Sequence, residues 1–203
     1  MKKIAIIDFG AGNLRSIFNA LEGLPNVKAE VTQSRSMLEA ADFIVMPGVG
    51  AFNKVMENLR NIDGLIDSLY EQVIGKKKQF LGICIGMQML ANHGYENGEA
   101  EGLSFIDGEV RKIPRQDSSL LLPHMGWNNI VVTGQDLVEF DNKDFYFVHS
   151  YYFDTKDKLD VVAYCDYGIK IPCILRKENI LATQFHPEKS GAQGVEFLKH
   201  FIR

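Results

Sequence analysis

A chain of 203 residues is near the size of one large domain, and a 46% share of apolar residues is enough for a substantial core. The net charge of −4, built from both signs, gives no reason to expect a nucleic-acid or anionic-membrane partner, since both favour basic patches. No apolar run approaches the roughly 20 residues needed to span a bilayer.

The first apolar run, Ile4-Ala5-Ile6-Ile7, follows two lysines as a signal peptide would. It breaks at Asp8 and is too short for that role, so it is expected to be a first buried strand. Leu14, Ile17, Phe18, Leu21 and Leu24 have helical spacing, closed by Leu24-Pro25-Asn26. Residues 27–31 form a weaker strand, and residues 43–46 a third that stops at Pro47-Gly48. Two helical patterns follow, Phe52, Val55, Met56, Leu59 and then Leu65, Ile66, Leu69, Val73. Lys76-Lys77-Lys78 is most simply a solvated helix end that complements the dipole. Residues 80–83 are a fourth strand. This alternation through residue 92 predicts a largely parallel sheet with helices on both faces.

The second half has a different rhythm. Residues 110–113, 129–132, 145–148, 161–164 and 171–175 are strand-like and close together, and they are expected to add antiparallel strands to the same sheet or beside it. A last helix is predicted over 192–202, with Val195, Leu198 and Ile202 inward. There is no internal repeat and no convincing linker. The expectation is one α/β domain over residues 1–203, a three-layer open sheet with a parallel first half and antiparallel additions. The three cysteines, Cys84, Cys165 and Cys173, are too few and odd in number for a disulfide framework, which points to a reducing, cytoplasmic setting.

Chemistry concentrates at Cys84. Gly82-Ile83-Cys84-Ile85-Gly86 is the thiol counterpart of the G-x-S-x-G elbow, a sharp strand-to-helix turn. Such a turn needs small residues on either side because the chain folds back on itself. It raises the nucleophile above the sheet and sets it at a helix start, where partial positive charge favours an anion. The N–H of Ile85 then faces the place where an oxyanion forms. The bland alternative, a buried core cysteine, is the expected state of Cys165 and Cys173.

In Gln184-Phe185-His186-Pro187-Glu188, an extended chain puts His186 and Glu188 on one side. Pro187 biases His186 away from helix. The carboxylate can accept from Nδ1–H and leave Nε2 as base, which completes a Cys-His-Glu triad. Taken alone, a surface turn would explain this segment equally well. The other histidines, His93, His124, His149 and His200, lack such a carboxylate neighbour in sequence. Pro47-Gly48-Val49-Gly50 ends the third strand, and its backbone N–H groups, at Val49 and Gly50, can approach a ligand; a tight strand-to-helix connection is the plainer reading. All three candidates lie at strand carboxyl ends, where open α/β sheets bind ligands. That convergence supports acyl transfer through a thioester without naming a substrate.

Several segments carry a family resemblance. Leu81-Gly82-Ile83-Cys84-Ile85-Gly86-Met87-Gln88 and Gln184-Phe185-His186-Pro187-Glu188-Lys189-Ser190 resemble the class I (triad) glutamine amidotransferases. Asp8-Phe9-Gly10-Ala11-Gly12-Asn13-Leu14, Pro47-Gly48-Val49-Gly50-Ala51-Phe52, Pro123-His124-Met125-Gly126-Trp127-Asn128 and Phe147-Val148-His149-Ser150-Tyr151 narrow the likeness to the glutaminase subunits of imidazole glycerol phosphate synthases. The resemblance runs from about residue 4 to about residue 202 and is weakest over 118–143 outside the Pro-His-Met-Gly-Trp-Asn motif. It implies a flavodoxin-like fold, glutamine hydrolysis at Cys84, and an oxyanion site at Val49, Gly50 and Ile85. Glutamine contacts are implied at Gly48, Gly50, Gln88, Ser150 and Tyr151. Four residues after Cys84, Gln88 would share its side of a helix, though a glutamine is more usually solvent-facing. The resemblance implies neither metal nor organic cofactor. It implies a cyclase partner of (β/α)-barrel fold in a heterodimer, faced by Met125 and Trp127. Other readings remain: the same glutaminase feeding another synthase, such as one amidating a surface sugar, a lone cysteine hydrolase, or a non-catalytic module.

Overall fold

The computed structural model describes residues 1–12, 14–115 and 120–203; Asn13 of the N-terminal motif and Ser118 fall outside the described residues. The strands in chain order are β1 (Lys2–Ile7), β2 (Val27–Thr32), β3 (Phe43–Gly48), β4 (Gln79–Cys84), β5 (His93–Gly94), β6 (Ala100–Glu101), β7 (Gly108–Lys112), β8 (His124–Val132), β9 (Asp144–His149), β10 (Tyr151–Thr155), β11 (Val161–Asp166), β12 (Lys170–Lys177) and β13 (Ile180–Thr183). The helices are α1 (Leu14–Glu22), α2 (Arg35–Ala40), α3 (Phe52–Arg60), α4 (Leu65–Leu69), α5 (Ile85–Gln88) and α6 (Gly191–Phe201).

Nine strands form the main sheet, in the order β2-β1-β3-β4-β13-β12-β11-β8-β9. The first five run parallel, and the remaining four continue the sheet in antiparallel pairs. A smaller sheet, β10-β7-β5-β6, lies apart from it. The antiparallel additions are thus both in the main sheet and beside it. Strands β3 and β4 are almost wholly buried and apolar, as parallel strands covered on both faces must be. One face packs Ile6, Val45 and Ile83 with Ile17 and Leu21 of α1 and Phe197 of α6. The other packs Ile7, Ile44 and Met46 with Leu38, Val55, Leu59 and Leu69 of α2 to α4, and with Val110 and Phe153 of the small sheet.

Register decides where the chemistry lies. Gly48 pairs with Cys84 across β3 and β4, and Thr183 pairs with Ile83 across β13 and β4. The carboxyl ends of three adjacent strands are therefore level. They deliver the Gly48–Gly50 turn, the Cys84 elbow and the Gln184–His186 segment to one edge.

Several elements depart from the sequence expectation. In α6 the inward stripe is Gly194, Phe197, Leu198 and Phe201, so Val195 faces out while Leu198 and Ile202 are buried as expected. The aromatic rings outcompete the valine for the core because they bury more apolar surface. The helical pattern after Leu65 ends as α-helix at Leu69 and continues as a wider π turn, Tyr70–Gly75. Lys78 does serve a helix end, but that of α2: its ammonium donates to the carbonyls of Leu38 and Glu39. Among the described residues no helix is long and apolar enough to cross a membrane.

Candidate active site

Cys84 ends β4 with φ +55° and ψ −108°, a conformation that L residues with a side chain rarely hold. The flanking glycines allow it. A Cβ on Gly82 would come 2.7 Å from the carbonyl oxygen of Gly86, so the chain does fold back on itself there. A Cβ on Gly86 would collide with the carbonyl oxygen of Met46 on the neighbouring strand. The helix after the elbow is one turn, Ile85–Gln88, shorter than a full dipole-bearing helix. What it offers an anion is therefore the free N–H groups of that turn rather than a long macrodipole.

Cys84 opens onto a cavity of about 250 Å³. Val49, Gly50, Ile85, Gln88, Ser150 and Tyr151, each a candidate site residue from the sequence, also line it. Gly48 does not. It is buried behind the turn, where a Cβ would strike Ile85 and Phe9 at 2.7 Å. Gly12, with φ +98°, packs against the backbone of Gly48 and Val49, so the N-terminal glycine motif supports this turn from behind. A roomier cleft of about 380 Å³ lies beside Phe43, Gln79 and Ile180, at the amino ends of the same strands. It holds no nucleophile, and ligands of open α/β sheets bind at the opposite end.

His186 and Glu188 are buried together, and Glu188 Oε1 accepts from His186 Nδ1 at 2.8 Å. They do not sit on one extended chain. His186 is extended, but Pro187–Lys189 turn as a 3₁₀ helix and bring the carboxylate back to the ring. Ser190 locks the turn: its hydroxyl donates to the carbonyl of His186 at 2.6 Å and accepts from the N–H of Tyr146 at 3.0 Å. Burial works against a charged His186, but the nearby Cys84 sulfur and then the Glu188 carboxylate overrule it and raise the imidazole to about 10. Nε2 is buried and holds no hydrogen bond, which leaves it as the ring atom free for proton transfer.

Some residues at the cavity had no separate signal in the sequence. Glu96 lines it and accepts from the N–H of Phe52 at 2.9 Å, at the start of α3. Gln184, fully buried, reaches both Gln88 and Cys84. His149 lines the cavity and is joined to His124 at 2.9 Å. Burial lowers these two imidazoles to about 3 and about 4 respectively. Their signal is visible only once β8 and β9 pair, because His124 then stands opposite His149. Gln88 is not solvent-facing; it is buried, and its amide donates to the Tyr151 carbonyl at 2.9 Å. Met125 and Trp127 alternate outward from β8 with 65% and 58% of their surface exposed, and Trp127 packs edge-on to Tyr146.

With this site at the carboxyl edge of a parallel sheet, the chain belongs to the family described as glutamine amidotransferase class-I, whose model matches residues 5–203. A solved glutamine amidotransferase shares the fold with a TM-score of 0.76 at 19% identity, covering 98% of this chain and 96% of its own. Within the family the chain groups with subunits of one synthase. It is 47% identical to imidazole glycerol phosphate synthase subunit HisH 1 of Campylobacter jejuni (strain RM1221), over 98% of this chain and 99% of the relative. It is 44% identical to subunit HisH of Methanothermobacter thermautotrophicus, over 98% and 97%.

Proposed function

We propose that this chain hydrolyses L-glutamine to glutamate and ammonia as the glutaminase subunit of an imidazole glycerol phosphate synthase in histidine biosynthesis. The observation that carries the chemistry is Cys84, held at positive φ on the wall of the cavity with the buried His186–Glu188 pair beside it.

In the reaction, the Cys84 sulfur attacks the side-chain amide carbon of glutamine, and the carbonyl oxygen takes the negative charge. The N–H groups of Ile85, Val49 and Gly50 are the donors assigned to that oxyanion. The tetrahedral adduct collapses: the C–N bond breaks, protonated His186 gives its Nε2 proton to the leaving nitrogen, and ammonia departs. A glutamyl thioester remains. Neutral His186 then takes a proton from water, the hydroxide adds to the thioester carbon, and the C–S bond breaks to give glutamate. Glu188 holds the imidazole tautomer and stabilises its charged form. Gln88, Ser150 and Tyr151 are assigned to the amino-acid end of the substrate, with Glu96 as a carboxylate suited to its ammonium group.

Ammonia passes to a cyclase subunit, which we place as a (β/α) barrel in a heterodimer with this chain. The exposed Met125 and Trp127 are the residues assigned to that contact. The chain is read as one domain, because the family match runs over nearly all of it, and as cytoplasmic, because three cysteines are too few and odd in number for a disulfide framework. The test is Cys84→Ala in the complex. Synthesis from glutamine should be abolished, while synthesis from added ammonium at alkaline pH should persist. Loss with both nitrogen sources would overturn this division of labour.

A further inference from the structure

We infer that Gln184 is a positioning residue for the nucleophile: its side-chain amide donates a hydrogen bond to the Cys84 sulfur while being held by Gln88 on the cavity wall. This rests on the reading of Cys84 as nucleophile.

The placement follows from strand register. Thr183 is paired with Ile83 in parallel strands, so the next residues, Gln184 and Cys84, emerge side by side at the carboxyl edge. Gln184 is anchored by its backbone N–H, which donates to the Cys173 carbonyl at 2.9 Å, and its side chain is fully buried. A buried amide of this kind must find partners for both ends. It finds Gln88 at 3.0 Å and the Cys84 sulfur at 3.8 Å.

Hydrogen-bond direction is fixed by one carbonyl. The Tyr151 carbonyl, 2.9 Å from Gln88, can only accept, so the Gln88 atom there is Nε2. The Gln184 atom facing that same Nε2 must accept, so it is Oε1. The other end of Gln184 is then Nε2, and it presents N–H to the sulfur. Flipping Gln184 would set amide nitrogen against amide nitrogen and leave its oxygen against sulfur. The Tyr151 carbonyl thus orients Gln88, and Gln88 orients Gln184 toward Cys84.

The Gln184 amide adds a fixed neutral donor to the sulfur's surroundings, which also hold the His186 imidazole. The sulfur's remaining hydrogen-bond contact among the described residues is the Val148 carbonyl at 3.9 Å, which accepts from the S–H but repels a thiolate. Gln184 serves the anionic sulfur that attacks substrate and holds it against the elbow between turnovers. Sequence alone does not reveal this role, because Gln184 lies a hundred residues from Cys84 and carries no charge.

The test uses the full chain and its Cys84 alkylation by iodoacetamide, read across pH, beside glutamine turnover with the partner present. Cys165 and Cys173 are buried and serve as internal controls. The titratable groups around the site among the described residues are His186 with Glu188, His149 with His124, Glu96 and Tyr151, and all are retained in the variants. Gln184→Met keeps the length and removes the donor. Its alkylation profile should move to higher pH by about one unit, with kcat for glutamine down about 10- to 100-fold, as for a lost hydrogen bond to a charged group, and KM nearly unchanged. Gln184→Glu keeps an acceptor for Gln88 and sets a carboxylate oxygen against sulfur, so its profile should move further. A folded Gln184→Met or Gln184→Glu protein with the wild-type alkylation profile overturns the proposal. Because alkylation is read without glutamine, that result leaves the glutaminase reading intact. Wild-type label at Cys165 or Cys173 instead of Cys84 would sink both.

Discussion

Glu188 Oε1 stands 2.8 Å from His186 Nδ1 across a 3₁₀ turn that begins at Pro187, with both side chains almost fully buried. The acceptor at Nδ1 fixes the proton there in the neutral ring and leaves Nε2 for proton transfer. In Glu188→Gln the amide can still hydrogen-bond, but it no longer stabilises the charged imidazole and can hold the wrong tautomer. Losing the orienting carboxylate costs up to roughly 10⁴ in the serine triad, and a thiol depends less on its base, so turnover is expected to fall about 10- to 10³-fold. KM should change little, because Glu188 does not line the cavity. Steady-state kinetics of the folded variant with its partner decide the matter. Unchanged turnover would leave a Cys-His dyad.

Gly86 should tolerate no side chain. A Cβ there would meet the Met46 carbonyl oxygen, which is backbone in the central sheet and cannot swing aside. Gly86→Ala is expected to cost about 3 kcal/mol or to prevent folding, at the upper end of overpacking penalties. Gly75→Ala is the control. Its nearest neighbour would be the Tyr70 carbonyl at 3.8 Å, an ordinary contact, so stability should stay within about 1 kcal/mol of wild type. Urea midpoints followed by circular dichroism give both numbers. A Gly86→Ala protein as stable as Gly75→Ala would mean that β3 and β4 separate more easily than their pairing implies.

The parallel half was legible because its strands are buried on both faces and read as unbroken apolar runs, as in β3 and β4. Cys84, His186 and Glu188 were legible because local motifs mark them. Other elements left weaker traces. Helix α2 buries only Leu38, so it has no periodic stripe to detect. Strand β13 is four residues of Ile180-Leu181-Ala182-Thr183, too short to separate from the motif that follows it. The Pro-His-Met-Gly-Trp-Asn segment was recognised as a motif but not as strand, because Gly126 with φ +133° and the exposed Met125 and Trp127 disguise the alternation. Glu96, Gln184 and the His124–His149 pair depend on contacts between distant segments, which spacing along one chain does not encode.

That histidine pair gives an expectation for acid. The Tyr151 carbonyl accepts from His149 Nδ1 at 2.9 Å, which leaves His149 Nε2 to accept from His124 Nδ1, also at 2.9 Å. The amide of Asn128 approaches His124 Nε2 at 3.2 Å, so that nitrogen accepts as well. Both rings are therefore neutral, and each donates from Nδ1. Protonating either would place two donors face to face in a buried site, in keeping with the lowering to about 3 and about 4 that burial causes. The unfolded chain takes up these protons near the ordinary value of 6.5. Below that pH the unfolded state binds more protons than the folded one, so stability falls as pH drops from about 6.5 towards about 4, and the pair contributes no slope above this window. Thermal unfolding of wild type and His124→Gln from about pH 7 to about pH 4.5 isolates the effect, because the shared carboxylates cancel in the comparison. The variant has one fewer imidazole to protonate on unfolding and should lose less stability over that range. Parallel curves for the two proteins would show that His124 is protonated in the folded state as readily as in the unfolded chain, and the neutral hydrogen-bonded pair would have to be abandoned.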